Sequence, residues 1–138
     1  MPLRPETRGR ARALQLLYAW DSDGHPAPEG MLLRLERLAG RHPEARRRAA
    51  ALFEGVTREW ELLDGLIAQA AEHWRLSRLA LVDRNILRLA IYEMRHGQVP
   101  PKVAIDEALW LAHRFGGSQS PGFVNGILDQ VARSLELL

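Results

Sequence analysis

Apolar residues along this chain recur every three or four positions and almost never alternate, the period of amphipathic helices rather than of strands. Leu14, Leu17 and Tyr18, with Ala11 extending their face, predict a first helix over 7–20. Asp21 to Pro28 is a loop punctuated by Gly24, Pro26 and Pro28. A short helix is expected from about 29 to 38, broken between Gly40 and Pro43. Phe53, Val56, Trp60, Leu63, Ile67, Ala70 and Trp74 then step without a miss, predicting one helix, or two nearly collinear ones, over 44–74. Gly55 and Gly65 lie inside it; each costs about 1 kcal/mol relative to Ala, so each is expected to permit a close helix approach or a bend.

The chain turns between Leu76 and Leu81. Leu87, Ala90, Ile91 and Met94 place the next helix at 82–94, ended by Gly97. Pro100-Pro101 opens another, with Pro101 in the first turn, where a missing N–H does no harm; Ala104, Ala108, Leu111 and Phe115 give it one buried face. Gly116-Gly117 is expected to stop that helix through left-handed conformations. Ser120 is expected to cap the last helix and Pro121 to begin it. Val124, Ile127, Leu128, Val131 and Leu135 carry it inward. Six or seven helices predict an all-α fold, two small helical bundles packed together. The halves fall at about 1–75 and 76–138 of one domain spanning 1–138.

Composition changes this picture in few places. With 138 residues, 46% of them hydrophobic, a core can be buried. The absence of cysteine removes disulfides, thiolate nucleophiles and Cys-based metal sites. No apolar run approaches the roughly 18 residues of a membrane span, and the start lacks the apolar stretch of a secretory signal. The cytoplasm is the expected location, with no membrane partner. A net charge of +2 says little, but its distribution says more. Of the 19 basic residues, all but Lys102 are Arg, whose planar fork grips phosphate and stacks on bases. A GC-rich genome explains the same bias equally well. Arg4, Arg8, Arg10 and Arg12 against Glu6 make a basic start, and Arg46-Arg47-Arg48 a second cluster.

Catalytic chemistry finds no support. His25, His42, His73, His96 and His113 show no metal-ligand spacing. Gly116 to Ser120 follows a helix rather than a strand and matches no phosphate-cradling glycine motif. A nucleophile elbow is absent, and Asp106-Glu107 are sequence neighbours that point apart on a helix. No enzyme activity, metal or cofactor is expected.

Residue order is more telling. Arg10-Ala-Arg-Ala-Leu-Gln-Leu-Leu-Tyr18 resembles the opening R-x-x-A-[LV]-Q-x-L-[YF] of the NusB family. Asp83-Arg-Asn-Ile-Leu-Arg-Leu-Ala-Ile-Tyr-Glu-Met94 resembles its middle motif. Val99-Pro-Pro-Lys-Val-Ala-Ile-Asp-Glu-Ala108, Phe115-Gly116 and Phe123-Val-Asn-Gly-Ile-Leu-Asp129 resemble its closing segment. The likeness covers nearly the whole chain apart from 21–50. It implies an all-α transcription antitermination factor that pairs with the ribosomal protein NusE. The pair would bind the boxA element of ribosomal RNA leader transcripts and join the antitermination complex of RNA polymerase. The same domain occurs fused to a ribosomal RNA cytosine methyltransferase; the length and lack of cysteine here favour the stand-alone factor. Family members include homodimers, so monomer and homodimer both stay open.

The resemblance also implies site residues. BoxA is read as a single strand, held by charge on its backbone and by base stacking. Arg8 and Arg10 match the family's Arg-rich start, with Arg4 and Arg12 as helpers; basic charge there opposes the helix dipole, which favours a functional cause. Glu6 and Thr7 depart from the denser Arg run of the family. Gln119, Ser120 and Phe123 match positions near RNA, Gln119 standing where some relatives have Asp and Gly122 where Lys can occur. These two regions are expected to form one face. Phe123 either stacks on a base or packs inward. Tyr18 and Asp83 match positions that contact NusE; the alternatives are a buried tyrosine and a cap-like aspartate. Against this stands a non-catalytic helical protein-interaction module without significant RNA binding, and, more remotely, a helical enzyme.

Overall fold

The computed structural model describes residues 3–35, 37, 42–71 and 78–138. Among these are six helices and no strand: α1 (Pro5–Ser22), α2 (Pro28–Leu32), α3 (Pro43–Ala70), α4 (Leu81–Arg95), α5 (Pro101–Phe115) and α6 (Ser120–Ser134). Five of them, α1, α2, α3, α5 and α6, carry proline in the first turn, where its fixed φ suits a helix and its missing N–H is no loss. Contacts divide the chain into two compact units, Met1–Arg58 and Glu59–Leu138, so the division falls within α3 rather than near residue 76. The expected short helix is helical over Pro28–Leu32, and residues 36 and 38–41 lie outside the described residues. Trp74, the last step of the long apolar pattern, also lies outside them. No helix among the described residues is long and apolar enough to cross a membrane.

In the first unit, α1 buries Leu14, Leu16, Leu17 and Trp20, and α3 buries Phe53 and Val56. A close approach is made at Gly9. A Cβ on Gly9 would lie 2.9 Å from Arg48 Cβ and 3.2 Å from the Ala45 carbonyl, so α1 meets the start of α3 backbone to backbone. Gly65 faces open space. The end of α1 is closed by backbone bonds, His25 N–H to the Trp20 carbonyl and Asp23 N–H to the Ala19 carbonyl, both 2.9 Å. The His25 ring stacks on Trp20 at 3.8 Å.

In the second unit, α4, α5 and α6 pack on one another pairwise. Helix α4 is its centre, with every residue from Asn85 to Met94 buried. A helix buried on all sides must pair its polar groups internally. Arg88, 1% exposed, lies in a buried polar network. Its Nε donates to Asp64 Oδ1 at 2.6 Å and a terminal nitrogen donates to Oδ2 at 2.7 Å, a bidentate fork. The other terminal nitrogen donates to Asn85 Oδ1 at 3.0 Å. The Asn85 amide in turn donates to the Leu81 carbonyl at 2.8 Å, tying the network to the first turn of α4. Gly97, at φ +63°, lets the chain turn away after α4 as expected.

Candidate nucleic-acid interface

Arg4, Arg8 and Arg12 stand four residues apart, so they share one stripe of α1. Arg4 is the exposed residue preceding the helix; Arg8 and Arg12 are half-buried. Arg12 donates to Gln15 Oε1 at 2.9 Å, which steers its guanidinium along the same stripe. Tyr18, six residues beyond Arg12, is 43% exposed, so the buried-tyrosine alternative does not hold. Arg10 is different. It is 5% exposed, because it precedes Leu14 by four residues and Leu17 by seven and shares their buried face. It is a core-facing residue rather than a surface cation, which corrects its expected place beside Arg8.

In the second unit, a groove of about 640 Å³ runs between the start of α4 and the start of α6. Arg78, Leu79, Ala80 and Asp83 line one side, and Gly117 to Ser120, Gly122 and Phe123 the other. Asp83 Oδ1 is shielded from solvent and has no hydrogen-bond partner among the described residues. Asp83, assigned from sequence to a protein partner, thus shares one groove with the residues assigned to RNA. Gln119 is exposed, and Phe123 is half-buried with its ring on the groove.

Ser120 does not cap α6 in the expected way. It is the first helical residue, follows Gln119, and is 5% exposed. Its hydroxyl reaches back and accepts from the Gly117 N–H at 2.9 Å, while its own N–H donates to the Gly117 carbonyl at 3.0 Å. Ser120 therefore shapes the loop that others present. Gly116 is extended, at φ −92° and ψ −176°, not left-handed. Glycine is needed there for space: a Cβ would lie 2.6 Å from both Ser120 Cβ and Oγ and 2.8 Å from the Ala112 carbonyl. Gly116→Ala is accordingly expected to cost about 1–3 kcal/mol through overpacking. Urea denaturation followed by circular dichroism measures it, and an unchanged midpoint would show that the loop has slack.

The match to known proteins follows the whole fold. The NusB family model covers residues 7–133. The chain belongs to the NusB family. It is 43% identical over 129 residues to the transcription antitermination protein NusB of Solibacter usitatus, covering 93% of this chain and 88% of that one. The solved NusB of T. maritima superposes with a TM-score of 0.83 at 33% identity, over 96% of this chain and 93% of that chain. A crystal structure of the antitermination factors NusB and NusE in complex with dsRNA gives a TM-score of 0.82 at 25% identity, over 96% and 99% of the two chains.

For this NusB-family chain, the Glu6 departure from the expected Arg run has a local partner: Glu6 Oε1 lies 3.3 Å from the Arg48 guanidinium. Arg78, Leu79 and Ala80 were not singled out from the sequence, since they fall in the turn before α4 and carry no periodic signal. No group of three His, Cys, Asp or Glu side chains that could hold a metal occurs among the described residues.

Proposed function

We propose that this chain is a non-catalytic transcription antitermination factor of the cytoplasm that binds boxA RNA together with NusE and enters the polymerase antitermination complex. The observation that carries the RNA reading is the arginine stripe of α1, with Arg4 exposed and Arg8 and Arg12 half-buried. Guanidinium groups at helical spacing match phosphates along a strand, and they stand at a helix start, where the dipole disfavours them. The groove of the second unit is a separate contact. Phe123 offers a ring for a base, and the N–H groups at the start of α6 favour an anion. Gln119 supplies hydrogen bonds at the groove rim, and Ser120 holds the loop. Arg10 stabilises α1 from within. Tyr18 and Asp83 serve the NusE surface.

The location of Asp83 favours a second role. A carboxylate accepts only, and Asp83 lines the groove with no hydrogen-bond partner for Oδ1 among the described residues, which suits a base amino group. Asp83→Lys separates the two roles. Calorimetry is expected to show weaker NusE binding with helicity unchanged, and unaltered affinity would reject the partner assignment. A change in base preference with NusE binding intact would leave the groove role alone.

The test of the whole reading is fluorescence anisotropy with boxA-like and scrambled RNA, single- and double-stranded, with and without NusE. Tighter binding of the boxA-like single strand, strengthened by NusE and weakened steeply by salt, is the expected result. Flat salt dependence and no preference would instead fit a protein-interaction module. Sedimentation in the same buffer distinguishes monomer from homodimer.

A further inference from the structure

The second arginine cluster, Arg46 to Arg48, is not among the RNA contacts proposed above. It lies at the start of α3, where Glu44 and Arg48 form an i,i+4 pair with the glutamate on the N-terminal side, the favoured order. Arg48 also meets α1. Gly9 brings the two backbones together beside Arg48 Cβ, and the Arg48 guanidinium reaches Glu6 Oε1 at 3.3 Å and Glu44 Oε1 at 3.2 Å. One cation therefore faces two carboxylates where α3 meets α1, on a face of α1 next to the stripe of Arg8 and Arg12 rather than on it. Arg48 and Glu44 are exposed and Glu6 is half-buried, with side chains 44%, 48% and 37% accessible.

Resting on the RNA-binding reading, we infer that Arg48 is a further phosphodiester contact of the first unit, held in check by Glu6. Exposed single-point pairs of this kind are weak. A phosphate offers the guanidinium a bidentate partner instead, so an RNA backbone that crosses from the arginine stripe to this edge of α1 competes with Glu6 for Arg48. Glu6 acts as an internal competitor that lowers affinity by at most about fivefold, the range of exposed ion pairs. Glu44, on the helix of Arg48 itself, is placed to steer the guanidinium in either state.

The test is a cycle of Glu6→Gln and Arg48→Ala, read as RNA affinity and its salt slope by anisotropy with a mixed-sequence single strand. Circular dichroism controls the fold; Glu6 is half-buried in the first helical turn, and Glu6→Ser serves if the glutamine variant is unstable. In the wild-type background Glu6→Gln is expected to tighten binding about two- to fivefold and to steepen the salt slope by about 0.7, one phosphate more. With Arg48→Ala present, the slope change is expected to vanish. An equal gain and an unchanged slope in both backgrounds would reduce Glu6 to a general charge effect and overturn the inference. Absence of salt-dependent RNA binding in the wild-type chain would overturn the parent reading and this one with it. Binding that depends on Arg4, Arg8 and Arg12 but shows no coupling of Glu6 to Arg48 would overturn this one alone.

Discussion

Arg88→Ala is expected to cost about 3–5 kcal/mol, a large part of the roughly 5–15 kcal/mol that holds a domain folded. The fork between Arg88 and Asp64 is almost closed to water. Removing the guanidinium leaves a desolvated carboxylate at Asp64 and an unanswered acceptor at Asn85. Arg88→Lys is expected to rescue little, since one ammonium cannot span both carboxylate oxygens and Asn85 together. Replacing both charges, as in Arg88→Met with Asp64→Leu, is expected to be much milder than either single change, because no charge is left buried alone. Urea denaturation followed by far-ultraviolet circular dichroism measures each of these variants. A loss below about 1 kcal/mol for Arg88→Ala would mean that water reaches the pair.

Joint replacement of Arg4, Arg8 and Arg12 by Ala is expected to weaken RNA binding by about a hundredfold near 0.1 M salt. Each phosphate contact on a single strand contributes about 0.7 to the logarithmic salt slope, or roughly fivefold in affinity between 0.1 and 1 M salt. Three contacts together give the hundredfold loss and flatten the slope by about 2. Arg10→Ala makes the contrasting case. Its side chain is buried, so its expected effect is on the denaturation midpoint, with the salt slope kept. Anisotropy across a salt series separates the two outcomes. Equal slopes for the triple variant and the wild-type chain would remove α1 from the RNA contact.

The helices were legible because their register depends on local period alone. Phe53, Val56, Leu63 and Ile67 are buried as spaced, and Pro101 and Gly97 mark real ends. What escaped depends on residues distant in sequence. Arg88 reads as one more polar position of α4 until Asp64, 24 residues away, is seen against it. Gly9 reads as an ordinary helix glycine until Arg48 is placed beside it. Gly116 was read through backbone freedom, whereas the cause is crowding by Ser120. Arg10 is legible in the sequence as a core-facing residue, since the face of Leu14 and Leu17 contains it, although it sits in a basic run. The groove joining Asp83 to Phe123 could not be read at all, because it depends on how α4 and α6 pack.

The most direct measurement is photocrosslinking of a boxA strand carrying 4-thiouridine, with adducts located by mass spectrometry. Adducts on α1 between Arg4 and Tyr18 and on the loop from Gly117 to Phe123 are the predicted result. Adducts confined to other parts of the surface, or none above those of a scrambled strand, would contradict the assignment of these two regions to RNA.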